Sequence, residues 1–526
     1  MIRNNWKKIF ASALFVVATF TGAQSFASVK MVVVNGQERP AYREGEVIVK
    51  YRDSAVRTSN MMVSLYQRLS VKSVKRFNGH FKNFEHLVLD ASHVTVEEAV
   101  ADLNRDSSVE YAQPNYMIYA FKDEKAKKVA EPCMIPGIPF PPGCDGSGNG
   151  GGAPTPPPGG GDGGKQPCMI PGIPFPPGCD DSGGGGGGSP TPPPATQRPA
   201  IAPAPAEVNP PVADPDMAQA YGISKVAADK AWAVEKGSKN MIVAVIDTGI
   251  DYNHKDISFN MWRNPKAKAV MTTGIDPTGS DVSGDVVGWD FIHNDNLPFD
   301  DNEHGTHCAG VIGAVGGNGV GISGVNQRVS IMAVKFLSGE GSGDTAGAIK
   351  GIDYAVSRGA KVLSNSWGGK GDDGSNGALK DAVKRAADAG VLFVAAAGND
   401  GTDNDKDPTF PASFDVDNMV VVAATNETDG LAFFSNTGVK GVHVGAPGTN
   451  VYSTVPGDKY AKLSGTSMAC PHVAGAAALL WSHFPNENYK QIKQRLMQFG
   501  DSLSALKGKT VSGNRINVLK SLQGTL

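Results

Sequence analysis

The sequence predicts an α/β fold for its C-terminal part, in the form of a three-layer, mostly parallel sheet with helices on both faces. A small α+β unit precedes it. Two observations lead to this prediction. From residue 213 to 526, short apolar runs alternate with helical patterns, which is typical of parallel sheets. Glycine and proline are concentrated in residues 122–212, which therefore separate two folding units.

Residues 1–27 have the composition of a secretory signal peptide. Basic residues precede an apolar run from Ile9 to about Phe20, and Ser25-Phe26-Ala27 suits a signal cleavage site. A membrane anchor is the alternative, but the run is short for a span of about 20 residues. We therefore expect a secreted, extracellular protein without a stable membrane anchor. The net charge of −3, with mixed signs throughout, argues against binding to nucleic acid.

Residues 39–121 are predicted to form the compact α+β unit. Glu46–Tyr51 alternates between apolar and polar residues as a strand does, and Tyr111–Tyr119 is a second strand. Val96–Leu103 has the pattern of a short amphipathic helix.

Residues 122–212 are predicted to be an extended or flexible linker, because their composition cannot bury a core. Pro132–Asp145 returns unchanged as Pro167–Asp180, and each copy is followed by glycine-rich and Pro-Thr-Pro-Pro-Pro runs. The repeats hold four cysteines: Cys133, Cys144, Cys168 and Cys179. Two local disulfides are the simplest pairing, although four cysteines allow three connectivities. A stapled spacer is favoured over a surface-docking element.

In the C-terminal part, five apolar runs are predicted as buried strands and three periodic segments as helices. The strands are Met241–Ile246, Ile331–Lys335, Lys361–Asn365, Val391–Ala396 and Met419–Ala423. The helices are Ala346–Arg358, Gly377–Gly390 and Met468–Phe484.

Polar residues follow several of these strands. Asp247 ends the first strand, Asn399 follows the fourth, and Ser366–Gly369 follows the third with glycines that leave backbone groups open. Ligands bind at the carboxyl ends of the strands in such sheets, so we expect these residues to line one site.

His304 and Ser467 open helical segments in glycine-rich contexts. A serine at a helix start benefits from the helix dipole and from free N–H groups that can face an oxyanion. Pro471 is expected to be tolerated because it falls in the first turn, where its missing N–H has no partner.

Together these residues supply the parts of an acyl-transfer site. A serine hydroxyl needs an imidazole base, and the imidazole needs a carboxylate to hold one tautomer. Asp247, His304 and Ser467 provide these groups, and Asn399 provides a side-chain N–H for the oxyanion, alongside the Ser467 amide. Singly, each residue has an ordinary structural interpretation, such as a helix cap or a turn. The combination favours a catalytic site.

The C-terminal part resembles the subtilisin-like serine proteases, with thermitase and proteinase K as the nearest types. The matching motifs are Asp247-Thr-Gly, His304-Gly-Thr-His-Cys-Ala-Gly, Ala397-Gly-Asn399 and Gly465-Thr-Ser-Met-Ala-Cys-Pro-His. Residues 39–121, with Tyr111–Tyr116 near their end, resemble the inhibitory propeptide of that family. The resemblance implies that this propeptide assists folding, caps the active site as an intramolecular inhibitor and is cut off.

The resemblance also implies substrate-binding residues. They are Gly341, Ser342 and Gly343 at an edge that pairs with extended substrate, and Ser366, Trp367, Gly368, Ala396, Ala397 and Gly398 around the specificity pocket. Because edge pairing recognises backbone, we expect broad specificity, with an apolar or aromatic residue before the cut bond.

Structural calcium is the cofactor that the resemblance implies. Asp214, Asp256 and Asn318 would form a tight site, and Asp290 with Asp295 a weaker one. Cys308 and Cys470 are expected to be free, shielded thiols near the catalytic residues.

The sequence therefore predicts a monomeric serine endopeptidase acting on protein and peptide substrates through an acyl-enzyme on Ser467. A non-catalytic adhesion protein on the same scaffold is the alternative from another class, but such a protein would usually lack one of the catalytic residues. A narrow processing protease also remains open, because specificity lies in loops. The propeptide cleavage site is expected between Ala120 and Asp214.

Overall fold

The structure is a computed structural model that describes residues 30–53, 58–77, 83–121, 198–265, 284–371 and 376–526. The predicted signal peptide and the two cysteine-containing repeats lie outside the described residues.

The N-terminal unit is an antiparallel sheet with two helices, preceded by a hairpin. Its elements are β1 (Met31–Val34), β2 (Gln37–Pro40), β3 (Tyr42–Tyr51), α1 (Ser59–Arg68), β4 (Val71–Arg76), β5 (Phe84–Leu89), α2 (Val96–Leu103) and β6 (Val109–Ala120). Strand β3 lies between β5 and β6, and β4 flanks β5. Alternate residues such as Val47 and Val49 are buried in a core with Leu87 and Leu103. Thr95 and Glu98 form a capping box that starts α2 at Val96.

The C-terminal part begins with short helices and continues as alternating strands and helices. Its elements are α3 (Tyr221–Lys225), α4 (Ala228–Ala231), β7 (Ile242–Asp247), β8 (Gly288–Asp290), α5 (His304–Gly313), β9 (Ser330–Lys335), β10 (Ser342–Asp344), α6 (Thr345–Ser357), β11 (Val362–Asn365), β12 (Trp367–Gly368), α7 (Gly377–Asp388), β13 (Leu392–Ala396), β14 (Met419–Thr425), β15 (Val444–Pro447), β16 (Val451–Val455), β17 (Lys459–Leu463), α8 (Thr466–His483), α9 (Tyr489–Gln498), β18 (Asp501–Ser502), β19 (Asn514–Arg515) and α10 (Val518–Gln523).

The predicted mostly parallel sheet is confirmed. Among the described residues its order is β18-β19-β15-β14-β13-β11-β7-β9-β8, and all pairs from β19 to β8 are parallel. Val243 and Val245 of β7 pack in one hydrophobic cluster with α5 and α8, whereas Ala244 and Ile246 pack in another with α6 and α7. Burial on both faces explains why these strands are continuous apolar runs rather than alternating ones.

The two units meet through strand β6 and two helix starts. The Gln113 side chain accepts a hydrogen bond from the Ala378 N–H at the start of α7 (3.0 Å), and Asn115 accepts one from Ala346 in the first turn of α6 (3.0 Å). Each bond satisfies a backbone donor that has no partner within its own helix. The N-terminal unit therefore docks on two helix N-termini of the larger unit.

Pro471 is tolerated in helix α8, but the predicted reason, a position in the first turn, is wrong. Helix α8 begins at Thr466, so Pro471 is its sixth residue and lies beyond the first turn. Its missing N–H leaves the Ser467 carbonyl without a helical partner. The Ser366 hydroxyl instead donates to that carbonyl at 2.9 Å. The proline is tolerated because a side chain from β11–β12 replaces the lost hydrogen bond.

Candidate active site

Asp247 and His304 are brought together at the carboxyl end of β7. His304 Nδ1 lies 2.7 Å from Asp247 Oδ1, and the same oxygen accepts the Thr248 N–H at 2.7 Å. Both side chains are buried. His304 Nε2 is buried and has no hydrogen-bond partner among the described residues. A carboxylate on Nδ1 directs the basic lone pair to Nε2, so this nitrogen can accept a proton.

A buried carboxylate that the sequence did not single out orients the start of α5. Asp300 accepts hydrogen bonds from the Thr248 hydroxyl (2.8 Å) and from the N–H and hydroxyl of Thr306 (2.8 and 2.6 Å). The Thr248 hydroxyl also accepts the Gly305 N–H at 2.9 Å. These bonds join the loop after β7 to the first turn that carries His304. In the sequence, the acidic residues that precede His304 were the signal that could have identified Asp300, but such a run is also typical of a solvated loop.

Ser467 is the second residue of α8, and its carbonyl oxygen lies 3.5 Å from the Sγ of Cys308, which follows His304 by one turn in α5. Its hydroxyl donates to the Ser366 carbonyl at 2.8 Å, and within the described part of the chain it makes no hydrogen bond to His304. Proton transfer to His304 therefore requires rotation of the Ser467 side chain. A hydrogen bond between catalytic groups often becomes short only in the complex with substrate.

Asn399 presents its amide to a carbonyl of the N-terminal unit. Its Nδ2 donates to the Phe121 carbonyl oxygen at 2.8 Å. Its Oδ1 accepts from the Thr466 N–H and hydroxyl (2.9 and 2.8 Å), which fixes the orientation of the amide. A Cβ at Gly465 would lie 2.4 Å from the Phe121 oxygen, so the carbonyl can approach only because this residue is glycine. The arrangement can stabilise negative charge on that oxygen.

The end of strand β6 lies between β10 and β12, in the cleft where an extended peptide would bind. It pairs antiparallel with β10 on one side, where Ser342 faces Tyr119 and Gly343 faces Ile118. It pairs antiparallel with β12 on the other side. The Ala120 N–H donates to the Gly341 carbonyl (2.9 Å) and the Phe121 N–H to the Ser366 carbonyl (3.1 Å).

The Phe121 ring is fully buried beside Gly368, where a Cβ would lie 2.4 Å from its Cζ. Trp367 contributes its backbone to this wall, because its indole is buried against Phe336 and Phe393. The predicted opposite wall, Ala396 to Gly398, is buried and leads directly into Asn399.

Other histidines and cysteines near the site are held in unreactive forms. Burial lowers the pKa of His307 to about 3, and its Nε2 lies 2.8 Å from the Val451 carbonyl. Cys308 and Cys470 are free and buried, as predicted. Burial raises the pKa of Cys308 well above its usual range and that of Cys470 to about 12. Both thiols stay protonated and are poor nucleophiles.

Comparison with known proteins identifies the two units. The family described as subtilase, Peptidase S8, matches residues 238–512, which is more than half of the chain. The chain belongs to the subtilase family. The Fervidolysin N-terminal prodomain family matches residues 29–115.

Relatives support the same assignment. The subtilase is 39% identical to thermitase of Thermoactinomyces vulgaris over 304 residues, covering 58% of this chain and 95% of that protein. It is 37% identical to subtilisin DY of Bacillus licheniformis over 293 residues, covering 55% of this chain and 95% of that protein. It is thus a subtilisin-like serine endopeptidase with a prodomain. In the part of the chain that the structure describes, no helix is long and apolar enough to cross a membrane.

The residues of the first predicted calcium site are Asp214, Asp256 and Asn318, and their chemistry fits a calcium ion. Asp256 is fully buried, and Asn318 Nδ2 donates to its Oδ1 at 2.9 Å. Asp214 accepts the N–H groups of Gly317 and Asn318 (2.9 and 3.0 Å). Burial raises the pKa of Asp256 to about 7, and the charge of Asp214 adds to the effect. Neither carboxylate has an ion-pair partner among the described residues, so the two side chains offer hard oxygen donors to a cation.

The second predicted set does not fit a metal ion, because a guanidinium already lies between its carboxylates. Arg198 Nη1 is 2.9 Å from Asp290 Oδ2, 3.0 Å from Asp295 Oδ1 and 2.9 Å from the Leu297 carbonyl. The Arg198 side chain is only 3% exposed and that of Asp290 is 0% exposed. His293 Nδ1 also lies 2.8 Å from Asp290 Oδ2. A cation there would compete with a fixed positive charge, which corrects the sequence-based assignment.

The segment from Arg198 to Glu207, called the arm below, is fastened to the catalytic domain by Arg198. The carbonyls of the next two residues, Pro199 and Ala200, accept bonds from Tyr252 Oη (2.6 Å) and Asn253 Nδ2 (2.8 Å). The clamped acidic loop runs on to Asp300 and His304. The arm therefore supports the segment that leads to the histidine.

Arg198→Ala should lower the free energy of unfolding by about 3–5 kcal/mol, because it removes the guanidinium from two carboxylates and leaves the fully buried Asp290 with the partly exposed His293 as its ion-pair partner. Added calcium should restore part of the melting temperature of this variant by binding the vacated carboxylates. The measurement is thermal unfolding at several calcium concentrations.

Arg328→Ala is the matched control, since this arginine also pairs with the arm, at Glu207, but its side chain is 31% exposed. Arg328→Ala should lower the free energy of unfolding by less than about 1 kcal/mol, and added calcium should not restore it. Equal destabilisation of the two variants would show that the buried Arg198 cluster has no special role.

Proposed function

We propose that this subtilase is a secreted endopeptidase of broad specificity, made as a proenzyme that cuts its own chain after Phe121. The observation that carries the proposal is the Phe121 carbonyl, which receives the Asn399 amide at 2.8 Å, while the Phe121 N–H and the Ser467 hydroxyl both donate to the Ser366 carbonyl. Strand β6 is hydrogen-bonded on both edges, as a bound peptide substrate would be. Secretion rests on the composition of residues 1–27.

In the proposed mechanism the Ser467 oxygen attacks the Phe121 carbonyl carbon, and His304 Nε2 takes the hydroxyl proton. Asp247 holds the other imidazole nitrogen protonated and offsets the charge of the imidazolium. Asn399 and the Ser467 amide donate to the oxyanion. His304 then returns the proton to the leaving amine, and water hydrolyses the acyl-enzyme.

The prodomain acts in this proposal as folding aid and intramolecular inhibitor. Two features support this role. Strand β6 fills the cleft, and the side chains of Gln113 and Asn115 cap two helices of the catalytic domain. Lys50 Nζ lies 2.8 Å and Tyr111 Oη 3.0 Å from Asp381 Oδ2 on α7, which adds polar contacts to the interface. These contacts hold the prodomain in place independently of the bond that is cut.

Calcium would be held by Asp214, Asp256 and Asn318. When bound it would supply positive charge to the buried Asp256 and the half-buried Asp214, and it would take no part in the acyl transfer. Its role in this proposal is to stabilise the loop that contains Asn318.

The central test is Ser467→Ala in the full-length chain. This variant should remain a single uncut chain and lose casein hydrolysis by at least about 10,000-fold, because the nucleophile is gone. Gel electrophoresis and N-terminal sequencing follow the cut, which in the unmodified chain should begin the new fragment at Lys122. Ser482→Ala, at the far end of the same helix, should cut normally. Normal cutting by Ser467→Ala would refute the mechanism.

Peptides that differ only in the residue before the cut bond test the pocket that holds Phe121. A phenylalanine peptide should be hydrolysed at least about tenfold faster, by kcat/KM, than the aspartate peptide, because the pocket wall is apolar and would desolvate a charge. A leucine peptide should be intermediate. A preference for aspartate would contradict the assignment of Phe121 to this pocket.

Removal of calcium by a chelator should lower the melting temperature of the processed enzyme, since saturation at about 100 times Kd is worth about 2.7 kcal/mol. Asp256→Asn should lose this calcium dependence. Asp403→Asn, a half-exposed carboxylate whose ion pair is with the neighbouring Lys406, serves as the control and should keep this dependence. Calcium dependence unchanged in Asp256→Asn would place the ion elsewhere.

A further inference from the structure

A β-hairpin ahead of the prodomain sheet has no role in the function proposed so far. Strands β1 and β2 pair with each other and, among the described residues, with no other strand. Asn35 and Gly36 form their turn with φ of 54° and 71°, the left-handed conformations that a two-residue hairpin turn needs. An isolated hairpin is marginally stable in water, so this one depends on the surface on which it rests.

One face of β1 rests on the cleft and the other faces solvent. Val33 is 52% exposed, whereas Val34 is 1% exposed and belongs to the hydrophobic cluster that contains Phe121 and the core of the catalytic domain. This alternation follows the two-residue period of a strand. The hairpin therefore buries an apolar side chain next to the occupied cleft.

The hairpin also holds the last residues of β6. Asn35 Nδ2 donates to the Ala120 carbonyl at 3.0 Å. Tyr119 Oη donates to the Pro40 carbonyl at 2.8 Å, and the Arg39 guanidinium lies 4.8 Å from the Tyr119 ring centre. All of these contacts involve residues on the acyl side of the Phe121 bond, so cutting that bond leaves them intact. They keep the end of β6 in the extended form that the cleft accepts.

The hairpin tip reaches the residue after the oxyanion donor. Burial raises the pKa of Asp400, and the charge of Lys370 and the backbone N–H groups of Gly36 and Asn35 act in the opposite direction. Lys370 Nζ is 3.8 Å from the Asp400 carboxylate. The Asp400 carboxylate oxygens are buried and have no hydrogen-bond partner among the described residues, so the tip lies near this carboxylate without bonding to it.

We propose that this hairpin is a second inhibitory element, which holds residues 119–121 of the cut prodomain in the cleft and delays release of the active enzyme. The inference rests on the proposed self-cleavage after Phe121. It adds that preorganisation of the new chain end, together with burial of Val34, sets how long the product stays bound. A preorganised segment loses less conformational entropy on binding, so it dissociates less readily.

The test compares Val34→Asp with Val33→Asp in the full-length chain. The two variants place the same charge on opposite faces of one strand. The unmodified chain should cut after Phe121, retain the fragment through gel filtration and show a lag before it hydrolyses a phenylalanine peptide. Val34→Asp should cut at the same bond but shorten the lag by at least about tenfold and release the fragment. Val33→Asp should behave like the unmodified chain.

Asn35→Ala is a milder variant that keeps the inference testable if Val34→Asp does not fold. It removes one hydrogen bond to Ala120 and should shorten the lag by about two- to tenfold. Unchanged lag and retention in the variants that fold and cut, or an equal effect of Val33→Asp, would overturn the inference. Absence of cutting in the unmodified chain would instead refute the proposed function, so the two failures are distinguishable.

Discussion

The hydrogen bond from Asn399 to the Phe121 carbonyl depends on most of the architecture around it. Thr466 at the start of α8 fixes the amide, and glycine at position 465 lets the carbonyl approach. Strand β6 holds the carbonyl in place because it pairs with β10 and β12 at once. Each element comes from a different part of the chain. The parallel sheet brings them together, since the loops at the carboxyl ends of its strands meet at one edge.

Fixed polar groups also determine the position of His304 at the start of α5. His304 is buried, and a buried imidazole needs partners that set its tautomer and position. Asp247 binds one ring nitrogen, while Asp300 and Thr248 hold the backbone of the first helical turn. Neighbouring groups that resemble reactive ones are kept inert, because burial favours neutral His307 and protonated Cys308. His307 and Cys308 are therefore unsuited to proton transfer or nucleophilic attack.

Two acidic clusters illustrate different solutions to buried negative charge. Asp214 and Asp256 have backbone and amide donors but no ion-pair partner among the described residues, which suits a metal ion. Asp290 and Asp295 instead share the positive charge of Arg198, whose planar guanidinium contacts both carboxylates and a carbonyl. The second solution ties the loop before His304 to the arm that begins at Arg198, so that loop needs the arm rather than an ion.

Much of this subtilase could be predicted from its sequence, because the relevant signals are local. Buried strands are short apolar runs, and Asp247, His304, Asn399 and Ser467 stand in short glycine-rich motifs at the ends of strands and the starts of helices. The structure brings these four residues to one edge of the sheet, while their catalytic roles stay a proposal. Other features have no local signal. Phe121 lies 278 residues from Asn399, and Arg198 lies 92 residues from Asp290. Only the tertiary structure could decide these pairings, because a hydrogen bond or ion pair between distant segments depends on how the sheet and the prodomain pack, not on any property of the residues alone.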